Sequence, residues 1–326
     1  MSPRALEVDE QPVLTADGWQ LRLRRTVCPE RFDASRKPLL IVPGYGMNSF
    51  IFSYHPRGTS MERCLAEAGF EVWAIDLRGQ GGARPPCDPA PAISFDGYVA
   101  EDLPAAVAGV LAKSKTGADA VVLLGASLGG SIAFGYLALA AEPRVAALIA
   151  IGAPLRWVQV HPLVRVLFAS TWVAGALKLR DTRTWMRRLA PLLHHVPWLL
   201  GMYANLATID MASLTEMTET VEDPQPEVNR DIARWLRARD LVLRGKNVTE
   251  QMRRIRVPLL LVLSNRDGIV PESTALSAAD YWGSSDVEVL RVGDERDWYA
   301  HANLFVGNEA PARVFDPMIR WLRRVA

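Results

Sequence analysis

This chain of 326 residues is short of the residues that announce metals, disulfides or membrane spans. It has three cysteines, Cys28, Cys64 and Cys87, odd in number, widely spaced and without a C-x-x-C pair. Neither a zinc site nor a redox pair is expected from them, and they read as reduced thiols. His, Asp and Glu show no clustered ligand spacing, which disfavours a metal hydrolase; no metal or other cofactor is expected. Charge of one sign is also lacking: 37 Lys and Arg against 36 Asp and Glu leave no field to draw nucleic acid or an anionic membrane, so neither is expected as a partner.

Long apolar runs are missing too. The best candidate, Leu163 to Leu179, is broken by Arg165 and contains Lys178, too short a clean run for roughly 30 Å of hydrocarbon. A buried or lid helix is expected there, with no membrane span. Met1 to Pro12 carries Glu7, Asp9 and Glu10 where a signal peptide has a basic start and an apolar stretch, so secretion by that route is not expected and a cytoplasmic location is. With 49% hydrophobic and 22% charged residues, the composition is that of an ordinary soluble globular protein.

What is present is an alternation. Val13 to Thr15 and Trp19 to Val27, joined through Asp17-Gly18, predict an antiparallel hairpin. Leu39 to Val42 predicts a strand buried on both faces, Met61 to Ala68 a helix stopped by Gly69, and Phe70 to Ile75 the next strand. After the Gly/Pro-rich loop Gly79 to Asp88 come a helix over Tyr98 to Lys113, a strand over Val121 to Leu124, a helix starting at Ser127 and a strand over Val145 to Ile151. This order predicts an α/β fold, a mostly parallel sheet covered by helices on both faces.

The rhythm then fails for about a hundred residues until Leu259 to Leu263, longer than ordinary connections. The interval predicts an inserted helical cap, with Trp157, Trp172, Trp185 and Trp198 among Leu, Val and Met, punctuated by Pro162, Pro191, Pro197, Pro224 and Pro226. Residues 1–154 and 251–326 are assigned to the core and 155–250 to the cap. A last strand, Val287 to Val292, and a last helix, Ala312 to Arg324, follow.

The strongest chemical signal is Gly125-Ala126-Ser127-Leu128-Gly129, followed by Gly130, where a buried strand turns into a helix. A serine on so sharp a turn projects above the sheet, small neighbours let strand and helix approach, and the helix N-terminus favours an oxyanion. Such a serine needs a base. Of His55, His161, His194, His195 and His301, only His301 lies beyond the last strand, where the chain order Ser, acid, His places it. Asp267, in Ser264-Asn265-Arg266-Asp267-Gly268 after the strand 259–263, is the expected acid; Asp294, Glu295 and Asp297 are its rivals. The backbone N–H groups of Tyr45, in Pro43-Gly44-Tyr45-Gly46, and of Leu128 are assigned to the oxyanion.

These segments resemble the α/β-hydrolase superfamily over essentially all of the chain outside the cap. Pro43 to Gly46 is similar to its oxyanion-loop motif, with Pro43 where many members have His. Asp76-Leu77-Arg78-Gly79-Gln80-Gly81 is similar to its loop after the next strand, and Gly125 to Gly129 to its nucleophile elbow. Phe70 to Gly81 and His301-Ala302-Asn303-Leu304-Phe305 also resemble polyhydroxyalkanoate synthases and lysosomal acid lipase relatives; the synthases use cysteine where Ser127 stands. The resemblance implies hydrolysis of a small hydrophobic ester, the cap's apolar residues walling an acyl pocket or forming the cap's own core. Acyl transfer by the same residues and a non-catalytic binding protein are the alternatives. Halide-removing and epoxide-opening chemistry would need aspartate at Ser127.

Overall fold

A computed structural model describes residues 4–176, 180–193 and 200–326. Ten strands are described: β1 (Glu7–Leu14), β2 (Gln20–Val27), β3 (Leu39–Val42), β4 (Val72–Asp76), β5 (Val121–Ala126), β6 (Val145–Ile151), β7 (Val242–Leu243), β8 (Lys246–Asn247), β9 (Leu259–Ser264) and β10 (Val287–Val292). Eight of them form one sheet in the order β1-β2-β4-β3-β5-β6-β9-β10. The pairs β1/β2 and β2/β4 are antiparallel and the rest are parallel. This is the mostly parallel sheet that the alternation predicts.

Strands β3, β4, β5 and β9 are buried at every position and almost wholly apolar because both faces are covered. Leu40 and Val42 of β3 and Leu123 of β5 join one hydrophobic cluster, while Leu39, Ile41, Val122 and Leu124 join the cluster on the other side. Strand β9 divides likewise, Leu259, Leu261 and Leu263 to one face, Leu260 and Val262 to the other. The edge is different. Strand β1 begins at Glu7, six residues before the apolar signal, since pairing with β2 needs only backbone groups and its Val8 and Leu14 are exposed.

Between β6 and β9 lie the helices Pro162–Leu167, Thr171–Ala176, Thr182–Leu193 and Pro226–Ala238. Pro162 and Pro226 each occupy a first helical position, where a missing N–H costs nothing. The ribbon β7/β8, turning at Arg244 and Gly245, is absent from the sequence reading because two-residue strands carry no periodicity. Trp157, Trp235, Leu243 and Val248 pack into the same cluster as the sheet, so that part of the insertion shares the main core. Trp172 and Trp185 are 80% and 57% exposed, which corrects for these two the expectation that the insertion's tryptophans form its core or a pocket wall, while Trp157 is buried as expected. Lys178, His194, His195, Pro197 and Trp198 lie outside the described residues.

The segment after β4 is pinned by buried charge. Asp76 accepts from the Ser49 amide at 2.9 Å, the Gly82 amide at 2.9 Å and Arg22 Nε at 2.7 Å. Arg78 donates from Nε to Asp102 at 2.8 Å and from Nη1 to Asp17 at 2.8 Å. Burial pushes the Asp102 carboxyl up to about 6, against the pull of that guanidinium.

The helix Leu128–Leu139 lies hard against the sheet, and glycines make the approach. A Cβ on Gly125 would stand 2.4 Å from Gly130 Cα, and one on Gly129 would stand 2.2 Å from Val42 O. Backbone cannot yield there as a side chain can. Gly125→Ala is therefore expected to cost about 3 kcal/mol or more, read by chemical denaturation. The open turn glycine Gly58, with nothing within 4 Å, is the control: its alanine variant is expected to lose only about 1 kcal/mol from backbone strain.

Candidate active site

At the C-terminal end of the parallel strands three loops converge. The first is Ser127 itself, a one-residue link between β5 and the helix Leu128–Leu139 held at φ 53° and ψ −122°. A positive φ is strained for a side-chain-bearing residue, and this one is fixed at both ends. The Ser127 N–H donates to Ile151 O at 2.7 Å, and its carbonyl accepts from the Gly130 N–H at 3.0 Å. The side chain is half-buried and faces a cavity. Leu128 is the first helical residue, so its N–H has no acceptor within the helix.

The second loop follows β9. Asp267 is buried; its Oδ1 accepts from the amides of Ile269 and Val270, both at 2.8 Å, which fixes the carboxylate. Its Oδ2 lies 2.6 Å from Nδ1 of His301, also buried, on the third loop. An imidazole paired to a carboxylate through Nδ1–H presents Nε2 as the free acceptor. Gly152, at φ +54°, leaves room for this pair: a Cβ there would sit 3.0 Å from His301 Cε1 and 3.5 Å from Asp267 Oδ2. Of the rival acids, Asp294 accepts from the Arg296 and Asp297 amides, Asp294 and Asp297 pair with Arg313, and Glu295 is exposed.

Sequence reasoning missed a clamp next to this histidine. Asn303 Oδ1 accepts from the Ala300 and Asn205 amides at 3.1 and 2.7 Å, and Nδ2 donates to Asn205 O and Thr208 Oγ1 at 3.0 and 2.8 Å. The Ala302 amide donates to Tyr203 O at 2.8 Å. The histidine loop is thus tied to the insertion. The only sequence signal was an amide set in an apolar stretch two residues past His301.

Ser127 and His301 line one cavity of about 270 Å³. Among the hydrogen bonds of the described residues, none joins the serine hydroxyl to His301, a contact that in resting enzymes often tightens only with substrate present. The cavity wall is apolar: Met47, Met186, Met211 and Met217 with Leu200, Leu206, Leu214, Ile51, Ile209 and Phe305. Among the described residues, flexible thioethers and Leu side chains make this surface, without a tryptophan. Tyr45 also lines it, and its hydroxyl donates to Asn229 Oδ1 at 2.6 Å, fastening the loop after β3 to the helix Pro226–Ala238.

The other described histidines have structural partners. His161 Nδ1 accepts from the Leu163 amide at the start of a helix. His55 is buried; Nδ1 accepts from the Arg57 amide at 3.1 Å, so Nε2–H donates to Gly307 O at 3.0 Å. Burial holds the His55 imidazole below its ordinary value. A base depressed in the folded state binds protons less well than in the unfolded chain. Its stabilisation is therefore complete above about pH 6.5 and declines as pH falls through that value. The thermal midpoint of wild type, relative to His55→Gln at each pH, is expected to fall between about pH 7.5 and 5.5. A difference that stays flat or rises contradicts the assignment.

Comparison with known proteins follows the same lines. Residues 37–298 match the profile of the alpha/beta hydrolase fold family. Over 136 residues the chain is 31% identical to a tear acid lipase-like protein of Mesocricetus auratus, covering 39% of this chain and 34% of that protein. The match thus spans about a third of that relative's length. Among solved structures, a thermophilic esterase from Thermogutta terrifontis superposes with a TM-score of 0.65 at 19% identity, covering 97% of this chain and 99% of its own. A soluble variant of monoglyceride lipase from Saccharomyces cerevisiae gives a TM-score of 0.65 at 16% identity, covering 100% and 96%. At these identities the likeness is one of fold. The strained serine turn, the parallel sheet and the matched residues 37–298 agree: the chain belongs to the alpha/beta hydrolase fold family.

Proposed function

We propose that this protein hydrolyses carboxylic esters of hydrophobic acids through an acyl-enzyme on Ser127. The observation that carries the reading is the buried His301–Asp267 pair, 2.6 Å apart, opening on the same cavity as the strained serine. Ser127 Oγ attacks the ester carbonyl while His301 Nε2 takes its proton. Asp267 holds the imidazole by Nδ1–H and stabilises the imidazolium that forms. The carbonyl oxygen becomes an oxyanion, met by the N–H of Leu128 at a helix N-terminus and by the N–H of Tyr45. His301 returns the proton to the departing alcohol. Water then attacks the acyl-enzyme by the same route and releases the acid.

The wall supports a hydrophobic acyl group. Methionine and leucine side chains gain from covering an apolar chain, by about 0.8 kcal/mol per methylene removed from water. They offer no partner for a polar one. The relatives named as esterases and lipases support the same reaction class.

The test is steady-state hydrolysis of nitrophenyl esters from acetyl to palmitoyl. Ser127→Ala is expected to lower kcat by about 10⁶-fold and Asp267→Asn by about 10⁴-fold. Wild-type kcat/KM is expected to climb with acyl length until the cavity is filled. Met217→Trp, which fills the cavity, is expected to remove that climb while sparing the acetyl ester. A flat profile in wild type sinks the acyl-pocket reading, and turnover that survives Ser127→Ala sinks the mechanism.

A further inference from the structure

The loop 43–48, which carries the Tyr45 amide, is not held by the sheet alone. Its outer side is joined to the insertion through residues 218–222. The Glu222 N–H donates to Gly46 O at 2.8 Å and the Asn48 N–H to Thr220 O at 2.9 Å. Together they frame an antiparallel bridge between Met47 and Val221.

The Glu222 side chain completes the join. Its Oε1 accepts from Asn48 Nδ2 at 2.6 Å, from the Gly81 amide at 2.9 Å and from Arg183 Nη2 at 2.8 Å. Those donors come from the loop after β3, the loop after β4 and the helix Thr182–Leu193. One carboxylate oxygen therefore gathers three separate segments, in bonds strengthened by its charge. Arg183 reinforces the arrangement, donating from Nε to Val221 O at 3.1 Å. Glu222 lines a polar cleft of about 620 Å³ and a small pocket shared with Tyr45 and Leu128, and is not part of the apolar cavity wall.

We propose that Glu222 is a positioning residue, whose Oε1 holds the loop 43–48 so that the Tyr45 amide stays where the oxyanion forms. Docking of residues 218–222 is then a condition for turnover, and this side chain adds to the insertion's other ties to the site, through Asn229 to Tyr45 and through Asn205 and Tyr203 to the histidine loop. The catalytic part of the proposal rests on the ester-hydrolase reading above.

Two measurements on wild type, Glu222→Ala and Glu222→Gln test it. Hydrogen exchange over residues 44–48 needs no turnover and reads whether the loop is held, whatever the fate of the Ser127 mechanism. Exchange there is expected to quicken in Glu222→Ala and to stay near wild type in Glu222→Gln, whose amide oxygen takes the place of Oε1. In ester hydrolysis, Glu222→Ala is expected to lose about 10- to 100-fold in kcat, a fraction of an oxyanion donor's worth, with KM within about threefold. Glu222→Gln is expected to recover most of that kcat. Asn48→Ala removes the loop's own donor and is expected to repeat the pattern if Glu222→Ala does not fold. Unchanged exchange, an effect confined to KM, or equal losses in the alanine and glutamine variants would each overturn the proposal.

Discussion

At the end of β5 the chain passes from strand to helix within a single residue, and the backbone on either side comes closer than any side chain permits. Gly125 meets Gly130, and Gly129 meets the carbonyl end of β3. Gly44 stands against the same turn, where a Cβ would touch Ser127 Cβ and Ala126 O at 3.0 Å. This crowding fixes the serine at positive φ and presses the loop after β3 against it. The position of Ser127, the helix N-terminus beside it and the approach of the loop after β3 are consequences of one packing constraint. The stability of the surrounding parallel sheet sustains the strain.

The remaining parts of the site are brought to that turn by elements far apart in sequence. Strand β9 delivers Asp267, and the segment after β10 delivers His301, each fixed by bonds from its own loop or from the insertion. The insertion is thus more than a cover. It ties the histidine loop through Asn205 and Tyr203, the tyrosine loop through Asn229, and the far side of that loop through residues 218–222. A site held by three such contacts is preorganised, so less reorganisation is left to the moment of reaction.

Much of this was legible in the sequence because the relevant signals are local. Val145–Ile151, Leu39–Val42 and Val287–Val292 stand at their expected bounds, the first two as uninterrupted apolar runs and the third through its three valines before Gly293. The serine turn was legible through its glycines, and Asp267 and His301 through chain order. Edge strand β1 was only half visible, because its first residues are polar and pair through backbone alone. The cavity wall was misassigned in part: Trp172 and Trp185 face outward while methionines face inward, and composition cannot tell which way an irregular segment turns its side chains. Glu222 left no signal in the sequence and Asn303 only its place two residues past His301, because their partners lie far along the chain.

The central claim is that Ser127 is an activated nucleophile, and its most direct test is covalent. The protein is treated with a fluorophosphonate, digested and mapped by mass spectrometry, with His301→Ala treated in parallel. The account predicts a single adduct on the peptide bearing Ser127, formed far more slowly in His301→Ala. An adduct on another residue, or equal labelling rates in both proteins, would contradict it.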